Sequence, residues 1–237
     1  MKHAQADRAR PPQRAVARAR RYIAESASLA GQLTGLAPAV ARVAQVVAKA
    51  LAARRRVYLM GNGGSAADAQ HIAGELVGRF LTDRPGLAAQ ALTTDTSVLT
   101  AVANDYGYEE VFARQLAAHV RPGDVVIGFS TSGRSANVLR GFEEARKGGA
   151  VTVGFCGPEA EEFASRCDVV ICVPGSSSPH IQDGHAILAH VLCDLVEQMG
   201  CSRAGERGAG ARPAGARAPA AAGRPPGPTT GGSETKR

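Results

Sequence analysis

From Arg56 to Gly200 the chain repeats one pattern five times: a short apolar or β-branched run, then a segment with helical spacing. The runs are VYLM at 57–60, AAQAL at 88–92, DVVIGF at 124–129, AVTVGF at 150–155 and DVVICV at 168–173. Strands that alternate with helices are joined by crossovers and lie parallel, and strands apolar along their length need cover on both faces. The pattern therefore predicts a doubly wound α/β unit, a five-stranded parallel sheet with helices on both faces. Helices are predicted near 65–80, 96–103, 108–119, 135–147, 159–165 and 181–199. Two more, near 15–32 and 38–53, form an N-terminal helical extension. Pro38 suits a first turn, and Val40, Val43, Val46, Val47 and Leu51 give the second helix one buried face. Sheets of this kind bind ligands beyond the carboxyl ends of their strands.

The formal charge of +7 suggests nucleic acid until it is divided by region. Residues 1–21 carry seven Lys or Arg and one Asp, and residues 201–237 carry seven and two Glu, leaving 14 basic and 18 acidic residues between. The predicted folded part is mildly acidic, which argues against a DNA-binding surface. The ends, 1–13 and 201–237, are polar or built of Ala, Gly, Pro and Arg, and are expected to be disordered, leaving 14–200 as the domain. Five cysteines form no C-x-x-C pair and no disulfide framework, so a reducing compartment is expected. No secretion signal is read in the first 30 residues, nor any run of about 18 apolar residues for a membrane span. The expectation is a cytoplasmic chain with no membrane or nucleic-acid partner.

Two strand-to-helix joints carry related sequences, VYLM-GNGGS-AADA at 57–69 and VVIGF-STSGRS-ANVL at 125–139. Glycines let the backbone approach a ligand closely, and a helix N-terminus presents free N–H groups to an anion. Ser130, Thr131, Ser132 and Ser135 place four hydroxyls around the second loop. Neither loop is a Walker motif, and Ala66 breaks a dinucleotide fingerprint. Two such loops on neighbouring strands point to a phosphate ester. Downstream of the first, His71 and Glu75 share a helical face at i,i+4 spacing, able to ligate a metal, to act as base and acid, or simply to bond each other. IQDGHAILAH at 181–190 adds Gln182, His185 and His190, and Asn104-Asp105 offers another polar pair.

The run GNGGSAADAQHIAGELVGRF, with RPGLAAQALTTD, AVANDYG, STSGRSAN and IQDGHAILAH following in order, resembles the phosphoheptose isomerases of the sugar isomerase (SIS) domain superfamily. The resemblance spans roughly 15–200. It implies isomerisation of D-sedoheptulose 7-phosphate to D-glycero-D-manno-heptose 7-phosphate, a divalent metal of zinc type, and a homotetramer with sites near subunit interfaces. By motif, Asn62, Gly63, Gly64, Glu75, Asn104, Asp105, Ser130, Thr131, Ser132, Ser135 and Gln182 would hold substrate. His71, Glu75, Gln182 and His190 would surround the metal, and Glu75 and His190 would be the catalytic pair. Residues 182 and 190 differ by ~12 Å in height on one continuous helix. Gln182 must therefore precede the helix and reach inward, or subunits must share the site, with His185 in reserve.

Two other classes compete. One is a non-catalytic SIS-fold tetramer that binds a replication initiator protein; such relatives lose the acid–base pair, whereas Glu75 and His190 are both present here. The other is a sugar-phosphate-sensing regulatory domain, which normally comes attached to another module.

Overall fold

The computed structural model describes residues 12–159 and 161–208. The predicted disordered segments lie mostly outside this range. Five strands, β1 (Val57–Gly61), β2 (Ala89–Ala91), β3 (Val125–Ser130), β4 (Val151–Cys156) and β5 (Val169–Cys172), form one sheet in the order β2-β1-β3-β4-β5. Every pairing is parallel. β1 and β3 are buried at every position, as two covered faces require. β2, on the edge, is only three residues long.

Helices α1 (Gln13–Gln32), α2 (Ala37–Ala52), α3 (Gly64–Val77) and α8 (Ser178–Gly208) enclose one face. Val40, Val43, Val47, Ile72, Leu76, Leu188 and Leu192 meet Leu59, Ile127 and Phe155 there. Helices α4 (Thr96–Tyr106), α5 (Ala113–His119), α6 (Ala136–Lys147) and α7 (Glu161–Arg166) cover the other, around Tyr58, Phe112, Phe142 and Phe163. Successive strands add on opposite sides of β1, so the order reverses between β1 and β3. That switch point is where a doubly wound sheet opens a crevice at its carboxyl edge.

Three boundaries and one composition reading differ from the sequence analysis. α5 begins at Ala113 rather than near 108, because Gly107 ends α4 at φ 95° and a 3-10 turn, Tyr108–Glu110, intervenes. α8 starts at Ser178 rather than 181, with Pro179 in its first turn. It also runs to Gly208, eight residues into the predicted tail, since adding a residue to an existing helix needs no new nucleus. Finally, the helical run Gln13–Ala52 contains a window long and apolar enough, by length and composition, to cross a membrane. α2 nevertheless buries Val40, Val43, Ala44, Val47 and Ala50 in the core, as a core helix does.

Candidate active site

The carboxyl ends of β1 and β3 bring the two Gly/Ser loops side by side. After Gly61 the backbone turns through Gly63 at φ 54°, a left-handed value that costs a side-chain-bearing residue energy, and α3 begins at Gly64. Ser65 N–H donates to the Asn62 carbonyl, and Ala66 and Ala67 N–H to that of Gly63, closing the first turn. Asn62 and Asn137 exchange two side-chain amide hydrogen bonds, each 2.8 Å. Tyr108 donates its hydroxyl to Asn62 Oδ1 at 3.1 Å. The Asn62 side chain, expected to meet substrate, is thus committed to tying the β1 loop to α6.

In the second loop Ser130 and Ser135 hydroxyls lie 2.8 Å apart, with Ser132 3.5 Å from Ser130 and accepting from Arg134 N–H. Thr131 turns away and donates to Ser178 at the start of α8. Three hydroxyls therefore cluster rather than four. Asn104 and Asp105, at the end of α4, bond each other at 2.8 Å. Among the described residues no hydrogen bond joins either to the loops. Tyr108, which the sequence reading passed over, makes that connection instead.

α3 and α8 pack side by side, and this brings His71, Glu75 and His190 together. His71 Nε2 is 2.8 Å from His190 Nε2 and 3.6 Å from a Glu75 carboxylate oxygen. His71 keeps about half of its side chain exposed and Glu75 about a quarter, so solutes reach them. The Phe80 ring stacks on His190 with centroids 5.8 Å apart.

Behind this group is a buried clasp. Glu197 accepts from the N–H groups of Phe80, Leu81 and Thr82 and from Arg84 Nε. Arg84 also donates to the carbonyls of Leu76 and Glu75. Burial works against the Glu197 charge, but the N–H groups of Leu81, Thr82 and Phe80 outweigh it and hold the carboxyl down to about 2. The clasp fixes the end of α3, Phe80 and α8 relative to one another.

The remaining polar residues of α8 are placed otherwise than expected. Gln182 lies inside the helix, not before it, and its amide fills the space that a Cβ on Gly64 would take. Seven residues of α3, ~10 Å of rise, separate Gly64 from His71, so within one chain Gln182 stands apart from the other three proposed ligands. His185 faces the sheet, fully buried against Phe129 and Phe155, with Nε2 3.3 Å from the Cys156 carbonyl. It is a core residue and not a reserve ligand. Desolvation drives its pKa down to about 4.

Asp68, another residue the sequence reading passed over, sits one turn before His71. Burial pushes its carboxyl up to about 6, with His71 pulling the other way, and its buried Oδ2 has no hydrogen-bond partner. Its i−3 spacing from His71 was the available signal.

Among the described residues no group of three or more His, Cys, Asp or Glu stands ready-arranged for a metal ion. The donor chemistry of His71, Glu75 and His190 nonetheless suits zinc.

The chain matches the SIS domain family over residues 21–157. It is 54% identical over 158 residues to the phosphoheptose isomerase of Burkholderia pseudomallei (strain K96243), covering 67% of this chain and 80% of that protein. It is 51% identical over 171 residues to that of Rhodospirillum rubrum, covering 72% and 91%. Among solved structures, the phosphoheptose isomerase of Neisseria gonorrhoeae superposes with a TM-score of 0.72 at 37% identity, over 76% of this chain and 97% of that one. The Francisella tularensis phosphoheptose isomerase gives 0.75 at 31% identity, over 78% and 98%.

Proposed function

Because the chain belongs to the SIS domain family, and within it to the phosphoheptose isomerases, we propose that this sugar-phosphate isomerase converts D-sedoheptulose 7-phosphate to D-glycero-D-manno-heptose 7-phosphate. The observation that carries this reading is the convergence of Glu75, His71 and His190 from two helices, on the helix that begins at a phosphate-type loop.

The reaction moves one proton from C1 to C2 and one from O1 to O2, through an enediol. Glu75 takes the carbon-bound proton: among the described residues no Lys or Arg pairs with its carboxylate, and Arg84 engages only its carbonyl. His190, its ring plane set by Phe80, carries the proton between oxygens. The Ser130, Ser132 and Ser135 hydroxyls and the start of α3 bind the phosphate, remote from the reacting carbons. His71, Glu75 and His190 would hold one divalent metal, zinc by donor preference, with Gln182 the outlying member. When bound, such an ion polarises a carbonyl and stabilises negative charge on oxygen. A carboxylate that held the metal would be a weaker base, so the ligand and base roles assigned to Glu75 compete.

A cytoplasmic homotetramer with sites near subunit interfaces completes the proposal. Its support is exposed apolar surface: α1 buries only Leu29 and exposes Tyr22 and Ile23, and α8 exposes Ile187 and Val191 on either side of His190. The direct test is purified protein incubated with sedoheptulose 7-phosphate and followed by NMR. An aldose phosphate should accumulate to equilibrium; no turnover of this or any C6 ketose phosphate would remove the enzymatic reading.

A further inference from the structure

At the opposite edge of the sheet, the amino ends of β1 and β3, Arg54, Arg55, Arg56, His119, Arg121 and Asp124 line an open cleft of about 240 Å³. Its four guanidiniums are poorly compensated. Asp124, the only carboxylate in the lining among the described residues, is buried and already used: Oδ1 accepts Arg56 N–H at 2.9 Å and Oδ2 accepts Arg121 N–H at 2.8 Å. Basic residues after a helix commonly bond its last carbonyls. At the end of α2 the backbone already does so, with Arg54 N–H donating to Leu51 and Arg55 N–H to Ala50. Arg121 alone spends its guanidinium on carbonyls, those of Ala118 and Val120. Among the described residues nothing pairs with the guanidiniums of Arg54, Arg55 or Arg56.

Two further features indicate that this cluster is held in place. Arg54 has φ 58°, the chain's only non-glycine residue in the left-handed region among those described, at the position after a helix where glycine is least costly. The Arg55 side chain lies along the 121–124 turn, its Nε 3.5 Å from where a Cβ on Gly123 would be.

We propose that this cleft is a second anion site, distinct from the catalytic edge, that takes the diphosphate group of a small molecule. Guanidiniums present forked donors matched to phosphate oxygens. Four of them against one carboxylate leave three net positive charges, close to the charge of a diphosphate and more than a single phosphate monoester neutralises. Because the site faces away from the Ser loop, a ligand here modulates the protein and does not compete with substrate.

The test uses the full-length protein and inorganic pyrophosphate, measured by calorimetry at physiological salt, with sedoheptulose 7-phosphate, taken to equilibrium beforehand, present to occupy the catalytic loop. One pyrophosphate per chain is expected, with binding weakened at least tenfold in Arg55→Ala. Arg54→Gly gives a sharper readout: it relieves the left-handed backbone, so the free protein's melting temperature should rise while pyrophosphate binding weakens severalfold. A nucleoside diphosphate arm separates the sources: binding tighter than pyrophosphate assigns the ligand to nucleotides, and equal binding assigns it to the bare diphosphate. The proposal is overturned if wild type binds no pyrophosphate at millimolar concentration. It is equally overturned if both Arg variants bind as wild type does, or if Ser132→Ala alone abolishes binding.

Discussion

At the residue scale, the sharpest assignment is Glu75. Glu75→Gln keeps the shape of the side chain and an oxygen beside His71 while removing its basicity, so kcat should fall by at least ~10² with the circular dichroism and melting temperature unchanged. His190→Asn should give a similar fall, and the double variant less than the product of the two, because both serve one proton-transfer sequence. Near-normal turnover in Glu75→Gln would move the base elsewhere, with Asp68, whose carboxyl feels the charge of His71, the next to examine. Ser132→Ala removes a hydroxyl from the phosphate end and should chiefly raise KM; a collapsed kcat with KM unchanged would place that serine at the reacting carbons. His185 supplies a pH dependence. Its folded pKa lies below the unfolded value of 6.5, so the unfolded chain binds the extra proton and stability is lost as pH falls from 6.5 towards 4. The loss is on the order of 3 kcal/mol, and His185→Phe should flatten the denaturation midpoint over that window; an identical slope in the variant would refute the attribution. The convergence of His71 and Glu75 was legible in their spacing, and the separation of Gln182 from His190 followed from helix rise. The Asn62–Asn137 pair was not legible, because it depends on which strands lie side by side and not on any local pattern.

At the scale of elements, the five strands and their order along the chain were readable because each apolar run is bounded by polar turns. Helix ends were less so: α8 overran its predicted limits at both ends, and the turn after Gly107 displaced the start of α5. The Arg84–Glu197 clasp was also invisible, since 113 residues separate its partners and neither sits in a recognisable motif. Its role in holding α3 against α8 is testable. Glu197→Ala leaves a buried Arg84 and three N–H groups without their acceptor, which should cost about 3–5 kcal/mol in denaturant unfolding. Glu197→Gln retains an acceptor and should recover part of that loss. If the clasp also orients the catalytic group, kcat in Glu197→Gln falls while KM for the phosphate-anchored substrate changes little. Equal change in both would mean that the clasp supports the fold alone.

For the whole molecule, the division of charge along the sequence makes a simple prediction. The Arg-rich segment after Gly208 contributes most of the C-terminal positive charge but none of the residues assigned to either site. A chain ended after Gly208 should retain turnover within about twofold and elute as the same oligomer; a tenfold loss with the oligomer intact would show that the segment reaches the active site. The sheet order was the piece of global architecture that the sequence reading left open, and it decides most about the catalytic edge. With β1 and β3 adjacent, the reciprocal amides of Asn62 and Asn137 join the β1 loop to the first turn of α6, which follows the serine loop, 75 residues further along the chain. For protein engineering these loops are therefore one transplantable cassette: grafting either alone onto another doubly wound sheet would carry half of an amide pair and leave its partner facing the wrong chemistry.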